Sequence, residues 1–177
     1  MFTYVVSGMK RTGTSMMMEC LEKGGLEIFW DKERDKKLHL AQPRNPNLHF
    51  YELDVPETGW LPLTPYKGKC VKLMGTRCLG RKAAPLKVLY MVRDPQSRHN
   101  SLWDACGEMH GRSYYDRTRT KNIEELSESD EIDTLSIFDY DEVLKNPLKA
   151  FRSLQADGWP IDPVKAASGV NPKLKHY

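Results

Sequence analysis

Residues 2–15, FTYVVSGMKRTGTS, constrain the fold more than any other part of the chain. Phe2 to Val6 is apolar, aromatic and β-branched, the composition of a buried strand. It runs without a break into a loop containing Gly8 and Gly13. Thr14 to Lys23 then reads as a helix that stops at Gly24 and Gly25. In a strand–glycine loop–helix unit, backbone N–H groups and the positive end of the helix hold a phosphate-like anion. The pattern GxxxxGK[ST] runs from Gly8 to Ser15, but Thr14 stands where the lysine belongs. That lysine serves the β- and γ-phosphates of a magnesium-bound triphosphate. Here cationic charge comes from Lys10 and Arg11 instead, and hydroxyls from Thr12, Thr14 and Ser15.

A second buried strand is expected over Leu86 to Val92 (LKVLYMV), the near-continuous apolar run that a parallel sheet requires. Asp94 and Pro95 follow as helix cap and first helical residue, opening a helix to about Glu108. Further short strands are expected at Leu26 to Trp30, Lys69 to Met74 and Leu135 to Phe138. Residues 31–48 and the basic stretch 111–122 read as irregular and polar. Residues 124–133 read as an acidic surface helix, and Leu148 to Ala156 as an amphipathic one. Strands alternating with helices give an α/β class. The expectation is a single three-layer domain over residues 1–177, with a mainly parallel sheet of about five strands and a P-loop NTPase-like arrangement.

Composition narrows the partners. Charged residues are 29% of the chain and hydrophobic residues 40%, the balance of a globular protein. A net charge of +3 is too small to argue for nucleic acid, yet it suits a small anionic ligand. The four cysteines are far apart and form no CxxC pair, so they read as reduced thiols and not as a disulfide framework or zinc site. Met16, Met17 and Met18 read as core filling, because three consecutive residues cannot share one helix face. No apolar run reaches the roughly 18 residues of a membrane helix, and MFTYVVSG lacks the charged start of a signal peptide. A cytoplasmic protein with no membrane partner is expected.

Arg93 leaves the end of the second strand, at the edge where open α/β sheets bind ligands, and Ser101 lies eight residues on, two turns into the following helix. Arginine is suited to bidentate phosphate contacts. VVSGMKRTGTS followed by VLYMVRDPQSRHNSL resembles the sulfotransferase family. In that family the first motif binds the 5′-phosphosulfate of 3′-phosphoadenosine 5′-phosphosulfate (PAPS), and an arginine and a serine at the second spacing bind its 3′-phosphate. The resemblance implies that Lys10, Arg11, Thr12, Gly13, Thr14 and Ser15 grip the 5′ end, and Arg93 and Ser101 the 3′-phosphate. The arginine form of the first motif is closer to the tyrosylprotein and carbohydrate branches than to the cytosolic small-molecule branch. FDYDEVLKNPLKAFRSL is similar to a later segment of the family, with Asp141 and Glu142 near its acidic pair, and GVNPKLKHY to its basic closing segment. Lys10 departs from the usual proline, and Met16 stands where some members place a tryptophan.

The activity implied is metal-independent transfer of a sulfuryl group from PAPS, a small-molecule nucleotide donor, to an acceptor hydroxyl. Such a transfer asks for in-line placement and for stabilised charge on the bridging and equatorial oxygens. Arg11 and the loop amides meet the second demand. Glu52, Asp54, His49 and His39 are candidates for the base. NPNLHFYELD resembles a segment of some branches that favours Glu52, and Lys72 resembles a lysine that neutralises charge at the sulfate. Arg77 is a lesser candidate. Arg112, Arg117, Arg119 and Lys121 are read as a solvated loop or a lid, and Lys173 and Lys175 as tail contacts to the 3′-phosphate. Two alternatives stay open: a nucleoside-triphosphate phosphotransferase with a degenerate loop, and a non-catalytic nucleotide-binding protein of the same fold.

Overall fold

In the computed structural model, residues 1–42, 49–53, 62–81, 85–107 and 111–171 are described. The centre is one four-stranded parallel sheet in the order β2-β1-β3-β4, with β1 Thr3–Gly8, β2 Cys70–Lys72, β3 Leu86–Val92 and β4 Ile132–Asp139. The expected α/β class and parallel sheet hold, with four strands among the described residues in place of about five. Leu26 to Trp30 is not a strand. It contributes a single bridge, Ile28 to Cys70, where the Cys70 N–H and C=O meet the Glu27 carbonyl and the Phe29 N–H, while Lys72, the next residue of β2 facing that edge, is bridged to Glu52 instead.

Alternation along the strands separates two cores. Tyr4, Val6, Leu89 and Met91 face one side. There they meet helix α1 (Thr14–Lys23) through Met17, Met18 and Leu21, together with Phe151, Leu154 and Trp159. Val5, Val71, Val88 and Tyr90 face the other side and meet Leu53, Leu63, Leu73 and Leu126. The methionines of α1 do fill the core: Met17 and Met18 are fully buried. Cys20, Cys70 and Cys78 are free, buried thiols, and burial pushes Cys20 and Cys78 up to about 12, so they stay protonated and unreactive.

Two segments read as irregular are helical. Helix α2, Lys32–Ala41, starts on the Asp31 side chain, which accepts from Glu33 N and Arg34 N, and it carries Glu33 and Asp35 in its first turn. The basic stretch after residue 111 opens a long helix, which is α4 after α3 (Pro95–Cys106), running over Arg112–Ser127. It ends earlier than the acidic helix expected from the sequence, and Ile132 and Asp133 belong to β4. Three shorter helices follow: α5 Tyr140–Lys145, α6 Pro147–Ala156 and α7 Pro163–Ala167. Among the described residues no helix is long and apolar enough to cross a membrane.

All four strands run the same way, so their C-terminal ends share one edge. Gly8 pairs with Met91, Val6 with Lys72 and Val92 with Asp139. That register delivers the glycine loop, Lys72, Arg93 and Tyr140 to the same edge. Gly13 has φ +90, and a Cβ there would overlap the Tyr140 ring. Gly25 has φ +95 with nothing within 4 Å of its Cβ position. Gly25→Ala is therefore expected to cost only the left-handed backbone penalty, about 1–2 kcal/mol. Gly13→Ala adds overpacking of roughly 1–3 kcal/mol to that penalty. Urea unfolding of the two variants checks the difference.

Candidate functional site

The loop between β1 and α1 turns on three residues with positive φ: Gly8 (+149), Arg11 (+68) and Gly13 (+90). Space decides the first of them. A Cβ at Gly8 would lie 2.6 Å from Thr12 Oγ1 and 2.8 Å from the Met91 carbonyl. The buried Thr12 hydroxyl donates to the Met9 carbonyl at 2.8 Å and ties the loop to itself. Gly13 caps α1 without a side-chain hydrogen bond, so the cap residue itself leaves the first-turn amides to another acceptor.

Arg93 and helix α3 close the loop from one side. The Arg93 guanidinium is buried, donates through Nη1 to the Arg11 carbonyl at 3.3 Å, and stacks on the Tyr140 ring with Cζ 4.5 Å from its centroid. Burial lowers its pKa from the usual arginine value, while Tyr140 and Asp141 oppose that shift. Its backbone is held as well: Tyr115 of α4 donates its hydroxyl to the Arg93 carbonyl at 2.9 Å and accepts from Arg93 N at 3.2 Å. The α3 start is fixed by Asp94, which accepts from Ser97 N at 2.8 Å, so the buried Ser101 sits where Arg11 Nε donates to its hydroxyl at 3.0 Å. The two sequence motifs thus meet in one site.

Lys72 closes the other side. From the end of β2 its ammonium donates to the Phe50 carbonyl at 2.6 Å and to Ser15 Oγ at 3.0 Å, in the first turn of α1. Glu52 Oε1 lies 3.7 Å away, and Glu52 Oε2 lies 3.5 Å from Arg34 Nη2. Glu52 reaches Lys72 because a single parallel bridge joins their backbones. Burial lowers Lys72 to about 8, with the charge of Arg11 acting in the same direction and Glu52 and Asp35 opposing. Cations therefore flank the α1 N-terminus from both sides, a surrounding that favours an anion.

Lys10 is exposed, and its carbonyl accepts from Arg98 Nε at 2.9 Å. Thr14 is buried, and Met16 packs half-buried against the core. Arg77 is exposed beyond β2. Arg112, Arg117, Arg119 and Lys121 do not form a loop lid. They lie on α4, where Arg112 and Arg119 pair with Asp116, Lys121 pairs with Glu125, and Arg117 bonds the Ser113 carbonyl. Asp141 and Glu142 open α5, donating their amides to Asp139. His39 and His49 both meet Asp35. Asp54, Lys173 and Lys175 lie outside the described residues.

Three contributors escaped the sequence reading: Arg98, Tyr115 and Tyr140. Arg98 is buried, with Cζ 4.6 Å from the Tyr115 ring centroid. Its spacing of three from Ser101 placed it on the same helix face and was the available signal. Tyr140 had no local signal, since it depends on β4 ending beside β3.

No protein-family model and no curated protein matches the chain. Among solved structures, one similar chain is an unliganded sugar kinase from Janibacter sp. HTCC2649, 13% identical, with a TM-score of 0.45 over 93% of this chain and 97% of that one. A likeness of that degree carries neither fold nor activity over.

Lys72 has a stability consequence with a definite sign. Its folded pKa of about 8 lies below the ordinary 10.5. Between those values the unfolded chain holds a proton that the folded chain has released, so this contribution to stability rises with pH. Below the folded pKa the desolvation cost is constant. The stability of wild type minus that of Lys72→Met is expected to climb from about pH 8 to about pH 10. Urea titrations across that window check it, and a flat difference would contradict the assignment.

Proposed function

We propose that the chain transfers a sulfuryl group from PAPS to an acceptor hydroxyl. The observation that carries this reading is the joining of the glycine loop to Arg93 and Ser101, through Arg11 Nε on the Ser101 hydroxyl and Arg93 on the Arg11 carbonyl. Two cationic groups on neighbouring strand ends suit a nucleotide charged at both its 5′ and 3′ positions. Thr14 in place of the loop lysine disfavours a magnesium-bound triphosphate.

In this reading Lys10, Arg11, Thr12, Gly13, Thr14 and Ser15 surround the 5′-phosphosulfate, and Arg93 and Ser101 take the 3′-phosphate. The acceptor oxygen attacks sulfur in line, the bond from sulfur to the bridging phosphate oxygen breaks, and the acceptor proton passes to the Glu52 carboxylate. Charge gathers on the bridging oxygen. In this reading Arg11, Lys72 and the α1 amides are the groups that stabilise it, so the transfer itself needs no metal. Lys72 is bonded to Ser15 and sits 3.7 Å from Glu52, which links the charge-neutralising group to the base.

Adenosine 3′,5′-bisphosphate, the product nucleotide, tests the donor site. At about 100 times its Kd it should add about 2.7 kcal/mol to stability. For a chain of this size that is a rise of roughly 5–10 °C in Tm. Arg93→Ala and Arg11→Ala should lose most of the ligand-induced rise, whatever their own Tm. No rise at millimolar nucleotide, or a rise seen only with ATP and magnesium, would overturn the reading. Glu52→Gln should keep the rise and lose transfer of labelled sulfate from PAPS to hydroxyl acceptors.

A further inference from the structure

Among the described residues, Asp35, His39 and His49 form a group whose donor atoms lie within 4.8 Å of one another. Asp35 and His39 are four residues apart on α2 and so share a helix face. His49 comes from the segment that also carries Phe50 and Glu52.

We propose that these three side chains form a binding site for a divalent transition-metal ion of the zinc type. The Asp35 carboxylate is 4% exposed, and its Oδ1 accepts two backbone amides, Phe50 N at 2.6 Å and Tyr51 N at 3.2 Å. Those bonds fix the carboxylate plane and direct Oδ2 at both imidazoles, with His49 Nδ1 at 3.1 Å and His39 Nε2 at 3.4 Å. Ligands about 2.0–2.1 Å from a tetrahedral zinc lie about 3.3 Å apart, so the two separations from Asp35 match edges of such a site, and the third, between the histidines, lies within 4.8 Å. The rings are held by packing that leaves the converging nitrogens in place. His39 meets Phe50 edge-on at 4.8 Å, and His49 packs on Trp30 at 4.7 Å and Tyr51 at 5.5 Å. Two imidazoles with one carboxylate suit zinc or a neighbouring transition ion, whereas magnesium and calcium ask for oxygen ligands. The histidines are 36% and 45% exposed, which leaves a path for the ion and room for a water as fourth ligand.

The site stands apart from the proposed transfer step and does not depend on it. Its hydrogen-bonded link to Lys72 runs through the Phe50 peptide, whose N–H bonds Asp35 and whose carbonyl accepts the Lys72 ammonium. A bound ion would clamp α2 to the 49–53 segment and hold that carbonyl in position.

Chelator-treated full-length protein, titrated with zinc chloride against a chromophoric zinc indicator, tests the proposal. One zinc per chain is expected, and cobalt(II) in its place should show the intense visible bands of a tetrahedral complex. His39→Gln and His49→Gln should each weaken zinc binding by more than the roughly 10–100-fold typical of losing an outer-sphere partner. His99→Gln, on α3, should leave it unchanged. The absence of stoichiometric zinc, an octahedral cobalt spectrum, or unaltered binding in both histidine variants would overturn the site. Because the wild-type cobalt spectrum is read without any substitution, a variant that folds poorly does not blunt the test.

Discussion

A guanidinium buried at the end of β3 is the contact on which the rest of the edge depends. A charge taken out of water is costly unless its surroundings replace the lost hydration. Arg93 finds part of that replacement in the loop carbonyl of Arg11 and in the face of Tyr140, while its buried Nε makes no hydrogen bond among the described residues. Each partner belongs to a different strand end. Tyr140 in turn excludes a side chain at Gly13, so one ring fixes the loop glycine and the buried cation together. The hydroxyl of Tyr115 holds both the Arg93 N–H and C=O, which makes α4 a buttress for the site.

The opposite wall is organised by a buried ammonium in the same way. Lys72 is tied to Ser15 and to the Phe50 carbonyl, and the Phe50 N–H is tied to Asp35. A chain of hydrogen bonds therefore runs from the α1 N-terminus through a strand lysine to a carboxylate in α2. Lys72 carries its charge against its burial, and that makes it responsive to an anion placed nearby.

Much of this edge was legible because it is local in sequence. The run from Phe2 to Lys23, the strand from Leu86 to Val92 and the Asp94 cap each declare themselves within a few residues, and β1, α1, β3 and α3 follow them closely. Helices α2 and α4 were hidden because they bury so little. Asp35 is the buried residue of α2, and Tyr115, Asn122 and Leu126 are those of α4, so no apolar period marks either one. Lys72 and Glu52 could be named as candidates, but their adjacency rests on a single bridge between distant segments. The meeting of His49 with Asp35 is likewise tertiary, and the spacing of four between Asp35 and His39 marks a shared face only where that stretch is a helix, which no apolar period announced.

The central claim is that the glycine loop and the Arg93–Ser101 pair act as one receptor for a nucleotide charged at two ends. Calorimetric Kd values for adenosine 3′,5′-bisphosphate and adenosine 5′-monophosphate, measured at one ionic strength, test it most directly. The account predicts that the 3′-phosphate, met by a buried arginine and a serine, tightens binding by at least tenfold, about 1.4 kcal/mol. Equal affinities for the two nucleotides would contradict it.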